Sequence, residues 1–339
     1  MNKFVSIIIA LICSVAITQP FAAVNEPEPP AQPPAKCDLT FASGKAGKGY
    51  SNFVRDIKAV CPSLPVCDKE SEGGLQNLTL LSTKEADIAL VQVDTLMQMQ
   101  GSDDQLKQMQ VVASLHSNLL HVLTKTGGIV VPGQMVPNPK YNKWNPMNKE
   151  PEMIQGTETI EVINKFSDLK GKTVGVVGSA QLLARKLNDA SGHGMQFIDY
   201  TTDAEAVKAL NAEGTKIHAV LTMGAWPHGY VKELKADSGL KLVNYDLAPT
   251  QPYTKTKKNY QKLGQFGIEF LAASNVIVTR PFVVGGQNAK NVAAVKNCIV
   301  GNLGKLKDGK YEPGWGEVTN LEEVYGLPKF VSSGTAKKK

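Results

Sequence analysis

Short apolar runs alternate with stretches of helical spacing along this chain, and the alternation restarts after a break. Residues 86–91 form the clearest run, nearly all apolar, which suits a strand buried on both faces. Before it, 37–42 reads as a short strand, 43–49 as a glycine-rich loop, and 50–60 as a helix with Phe53, Ile57 and Val60 on one face. A second strand is expected at 64–69 and a second helix at 75–81, with Leu75, Leu78 and Leu81 periodic. Helix 94–100 and two further strands, 111–113 and 119–123, complete the first half. Residues 127–164, rich in Gly, Pro and Asn, interrupt the pattern and look like an insertion. It then resumes with strands at 172–177, 195–200 and 217–222, helices at 180–190 and 203–210, and a strand at 241–245. Leu182, Leu183 and Leu187 are expected to face inward. The long apolar stretch 268–278 is placed to run back to the first half, and 288–306 forms a last helix with Val292, Val295 and Ile299 on one stripe.

Strand and helix in this order predict an α/β chain of two lobes, each a mainly parallel sheet flanked by helices and joined by crossover strands. Lobe 1 is expected over 37–120 and 270–331, lobe 2 over 121–269, and 332–339 is a Lys-rich tail. Two lobes make a cleft, and in such sheets ligands sit outside the carboxyl ends of the strands.

The N-terminus adds a compartment. Met1-Asn2-Lys3 is followed by an apolar run over 4–17 and small or polar residues to Ala23, the layout of a cleaved secretory signal over 1–23. The run is short of the roughly 20 residues a membrane span needs. Residues 24–36 are proline-rich and read as an extended linker. The folded part is therefore expected in the periplasm, away from ATP and NADH. A formal charge of +6, partly from Lys337 to Lys339, with no Arg-rich stretch excludes a nucleic-acid role. Cys37, Cys61, Cys67 and Cys298 survive cleavage and suggest two disulfides, with three pairings possible. The short proline-bearing loop favours Cys61–Cys67, leaving Cys37–Cys298. Their spacing does not resemble a zinc site, and no metal or cofactor is expected.

Residues 71–94, Ser-Glu-Gly-Gly-Leu-Gln-Asn-Leu through Ala-Asp-Ile-Ala-Leu-Val-Gln-Val-Asp, resemble the signature of TAXI-type solute-binding proteins, the extracytoplasmic subunits of TRAP transporters. Residues 168–175, 224–227 and 253–280 fit more loosely, and the resemblance covers most of 39–282. It implies a two-lobed type II periplasmic binding fold that closes by a hinge on a small organic solute, a carboxylate or amino acid. The solute would pass to the permease subunits of a TRAP transporter, and the protein is expected to be a monomer. Three departures stand out: two lysines in the loop 43–50, Gly74 in place of a serine, and the insertion at 127–164.

The candidate ligand residues lie at strand ends. Ser43, Gly44, Lys45, Lys48 and Tyr50 belong to a glycine-rich loop before a helix, where N–H groups and lysines would favour an anion, although a plain surface loop has the same composition. Gly73 and Gly74 offer either backbone donors or a simple turn. Gln92 and Asp94 follow the buried strand, Asp94 also reading as a helix cap. Ser179 is placed to cap the helix at 180–190 or meet an anion, and Trp226 to wall the cleft or pack as an ordinary aromatic. No Gly-x-Ser-x-Gly elbow or His-Glu-x-x-His helix marks an enzyme, and most of the five histidines read as surface or strand residues. A ligand-sensing adaptor for an envelope receptor, or an envelope scaffold, would use the same fold.

Overall fold

The computed structural model describes residues 37–139 and 152–332; the expected signal, linker, most of the Lys-rich tail and the tip of the insertion lie outside them. The first half runs β1 (Leu39–Ala42), α1 (Gly49–Val60), β2 (Val66–Lys69), α2 (Gly74–Ser82), β3 (Ile88–Gln92), α3 (Val93–Met99) and the long β4 (Gln110–Lys125). The interrupting region carries short strands β5 (Ile129–Val131), β6 (Met135–Pro137), β7 (Met153–Gln155) and β8 (Thr159–Glu161), paired as two antiparallel ribbons, β5 with β8 and β6 with β7. The second half follows with β9 (Thr173–Val177), α4 (Ala180–Ser191), β10 (Gln196–Tyr200), α5 (Asp203–Asn211), β11 (Ala219–Gly224) and β12 (Leu240–Leu242). The hairpin of β13 (Thr254–Tyr260) with the long β14 (Gln265–Thr279) returns the chain, and α6 (Gln287–Leu306) packs on α1.

One main sheet holds the order β10-β9-β11-β4-β14-β3-β1-β2, with β12 and β13 paired at its side. Its two ends repeat one topology. β1 lies between β2 and β3 and is parallel to both, as β9 is to β10 and β11. The third strand of each half meets a crossover strand antiparallel, β3 with β14 and β11 with β4. The crossover strands pair with each other, so both halves share them. This is the two-lobed type II periplasmic binding fold.

Burial explains the layers. Phe53 and Ile57 of α1 and Val292, Val295 and Ile299 of α6 cover one face of the first half together with Trp315, while Leu78, Leu81 and Leu96 cover the other. Leu183 and Leu187 of α4 and Val207 and Leu210 of α5 do the same for the second half. Leu75 departs from its expected inward stripe: it is 55% exposed, because α2 buries the face of Asn77, Leu78 and Leu81 and Leu75 lies off it. Leu182 is only half-buried, flanking the stripe of Ala180, Leu183, Ala184 and Leu187. The expected separate strands at 111–113 and 119–123 are one strand, β4. The polar residues between them continue the ladder with β14 rather than ending it.

The disulfide pairing corrects the expected one. Cys37 bonds Cys67 (Cα–Cα 5.6 Å) and Cys61 bonds Cys298 (6.3 Å). Parallel pairing of β1 with β2 brings the chain just before Leu39 beside Cys67, and Leu39 N donates to Pro65 O at 3.1 Å. Cys61 ends α1 and faces α6, so the local loop of Cys61 to Cys67 never closes on itself.

Candidate functional site

β4 and β14 pass side by side between the halves, and a register shift between Ser274 and Val276 breaks their regular pairing. Asn275 at that shift is fully buried, and its Nδ2 donates to the His116 carbonyl at 3.1 Å and meets His116 Nε2 at 3.2 Å. Tyr50, in the first turn of α1, donates its hydroxyl to Asn275 Oδ1 at 2.6 Å. Asn118 donates to Gln92 Oε1 at 2.7 Å. Gln92 ends β3, where the strand delivers its side chain to this point, and its Nε2 donates to Asp94 Oδ1 at 3.2 Å. A chain of amides and a phenol thus runs from the crossover strands to the start of α3.

The second half meets that chain at two places. Met223 Sδ of β11 lies 3.6 Å from Gln92 Nε2, and the Tyr253 hydroxyl donates to Asp94 Oδ2 at 3.1 Å. Gln92 and Asp94 are both buried. Burial first, and then the Asp94 charge, push the phenols of Tyr50 and Tyr253 well above their usual range, so both stay neutral donors. Burial pushes His116 down to about 4, against a smaller opposing effect of Asn118.

Four residues singled out in the sequence converge here, Tyr50, Gly74, Gln92 and Asp94, with Gly73 adjoining Gly74 in the chain. Gly74 opens α2 against this group: a Cβ there would lie 3.9 Å from both Gln92 N and the Tyr50 ring. Gly73 holds φ +119°, a left-handed backbone that favours glycine. Gly44 supports the site from behind, since a Cβ on it would stand 3.2 Å from Tyr50 Cβ. Asp94 does not cap α3. Gln92 holds the cap position, and Asp94 lies one residue inside the helix with its carboxylate turned to Tyr253.

The other candidates stand elsewhere. Ser43 is buried in a knot: its Oγ donates to the Asp68 carboxylate, and its carbonyl accepts from Asn77 Nδ2 at 2.6 Å. Lys45 is mostly exposed and pairs with Glu72 at 2.6 Å, which raises its ammonium pKa. Lys48 is exposed at the N-cap of α1. Ser179 is exposed and occupies the N-cap of α4 without making the expected side-chain capping bond, because its own backbone is already helical. Trp226 turns to the β13–β14 hairpin, donating to Asn259 O at 3.3 Å, with the Lys258 ammonium 4.6 Å above its ring.

Sequence reasoning missed Asn118, Asn275, His116, Met223 and Tyr253. The signal was present for the first three, as polar residues inside otherwise apolar β4 and β14. His116 and His121 stand on strand β4, as the strand reading allowed, but the surface reading fails: His116, His121, His193 and His228 are buried, and His218 bonds Glu161 at 2.9 Å. His121 donates or accepts at Tyr260 OH, 2.6 Å away, and its ring lies 4.8 Å from that of His228. Among the described residues no group of three His, Cys, Asp or Glu side chains is placed to hold a metal ion.

No family model matches the chain, and no curated protein matches it. Solved structures resemble it at low identity. An ancestral arginine-binding protein bound to arginine shares 16% identity at a TM-score of 0.44, over 83% of this chain and 97% of that one. Tv2483 bound to L-arginine shares 9% at 0.47, over 84% and 93%. Substrate-binding domain 2 of GlnP from Lactococcus lactis, in an open conformation, shares 13% at 0.40, over 84% and 96%. The fold assignment rests on the strand order of this chain.

Proposed function

We propose that this protein captures a small organic solute, a carboxylate or amino acid, between its lobes outside the cytoplasm. The lobes are taken as 37–120 with 270–331, and 121–269. The solute then passes to a TRAP-type permease, as the TAXI-like motif at 71–94 suggests, and the protein binds rather than catalyses. The observation that carries this reading is the meeting of Gln92 and Asp94 of the first half with Met223 and Tyr253 of the second, beside the two strands that join the halves. Groups so placed exchange partners when the lobes swing, so a solute that engages both lobes favours the closed form by its preference for it. Two disulfides fit an oxidising compartment.

Tyr50, Gly73, Gly74, Gln92 and Asp94 form the first-lobe contacts, and Ser179 and Trp226 approach from the second as it moves. Thermal-shift titration of the mature protein with amino acids and small carboxylates is expected to raise Tm for a true solute. Gln92→Ala should then weaken binding about 10-fold, the loss of roughly one hydrogen bond, with the fold retained. Unchanged affinity in both Gln92→Ala and Ser179→Ala would sink the assignment.

A further inference from the structure

Asp94 is the one charged side chain in the constellation of Tyr50, Gln92, Asn118, Asn275, Met223 and Tyr253. It is 5% exposed, and both carboxylate oxygens are held by neutral donors, Gln92 Nε2 at 3.2 Å and the Tyr253 hydroxyl at 3.1 Å. Among the described residues no lysine or arginine forms an ion pair with it. Of the two lysines that the sequence offered for a site, Lys45 is engaged with Glu72 and Lys48 is exposed at the N-cap of α1. Lys186 stands over the Tyr253 ring, 5.3 Å from its centroid, bound to the face of the phenol rather than to the carboxylate. Burying a carboxylate is costly, and hydrogen bonds from neutral groups offset only part of that cost, whereas a charge-assisted bond is roughly twice as strong as a neutral one. The amides around Asp94 carry no charge to attract an anion.

Resting on the proposed solute capture, we infer that the solute carries a protonated amine, which docks on Asp94 Oδ2 in place of the Tyr253 hydroxyl. Tyr253 is a stand-in from the second lobe. Its neutral O–H satisfies the carboxylate until a stronger donor arrives, and the displaced phenol then faces the solute. The remainder of the solute lies against Gln92 and Asn118, whose amides donate and accept without preference for charge. A solute with a carboxylate and no amine would instead bring a negative charge towards Asp94.

The test is isothermal titration of the full mature chain with matched probes: L-alanine against propionate, L-glutamate against glutarate, and putrescine against butane-1,4-diol. At least one amine-bearing probe is expected to bind 10-fold or more tightly than its amine-free partner. Asp94→Asn, which keeps the shape, should reduce that binding on the order of 30-fold or more. Tyr253→Phe removes the competing hydroxyl and should hold or improve affinity. Equal or tighter binding of the amine-free partners overturns the inference while leaving solute capture standing, as does undiminished amine binding by Asp94→Asn. Loss of amine binding in Tyr253→Phe equal to that in Asp94→Asn also overturns it, because the pair would then be only a structural tie. No heat with any probe removes this inference and the proposed function together.

Discussion

His116 ties the core of the first half to the site. Its ring stacks on Phe53, with centroids 4.7 Å apart and planes 6° apart, while its Nε2 lies 3.2 Å from the Asn275 amide that also organises Tyr50. The position is so tight that Gly314 has no room for a side chain: a Cβ there would stand 2.8 Å from Phe53 Cζ. Burial holds His116 down to about 4, against an ordinary value near 6.5. The unfolded chain therefore binds the proton more readily than the folded one, and stability rises with pH between those values. The contribution is complete above about pH 6.5 and is lost as pH falls towards 4, amounting to about 2 kcal/mol by pH 5. Denaturant titrations at pH 7 and pH 5 should show that loss, and His116→Phe should reduce it. An equal loss in the variant would assign the acid sensitivity elsewhere, His121 being the next buried ring with a strongly lowered pKa.

Most elements were legible because their burial follows simple periods. β3 is buried at every position, and α1 buries Phe53 and Ile57 as its spacing requires. β4 was misread as two strands because Ser114, His116, Ser117 and Asn118 interrupt its apolar pattern. Those residues serve the crossover, where Ser117 bonds Ser274 at 3.1 Å and Asn118 bonds Gln92, a long-range arrangement that no local period encodes. The cysteine pairing failed for the same reason. Loop length favoured Cys61 with Cys67, but α1–α6 packing and β1–β2 pairing decide the partners. Disulfide mapping of the protein by peptide mass should recover Cys37–Cys67 and Cys61–Cys298, and a Cys61–Cys67 peptide would contradict the packing. Removing Cys61–Cys298, which spans 237 residues, should cost on the order of 3–5 kcal/mol, and more than removing Cys37–Cys67, which spans 30.

At the scale of the whole molecule, the repeated topology is what the alternating sequence foretold. Each half orders its strands second, first, third, then crossover, so the carboxyl ends of β3 and β11 approach each other where β4 and β14 cross. That placement explains why strand-end residues such as Gln92 and Asp94 were identifiable and why their partners Tyr253 and Met223 were not: the latter come from the opposite half and are near them only in three dimensions. Lys258 of the β13–β14 hairpin also reaches Glu317, a further contact between the two parts of the chain. The central claim is that the lobes close on a small solute, and native mass spectrometry of the gently desalted protein tests it most directly. The account predicts a small-molecule adduct of an amine-bearing solute that disappears on unfolding and is lost in Asp94→Asn. A clean ligand-free mass, with no thermal shift from amino acids or carboxylates, would contradict it.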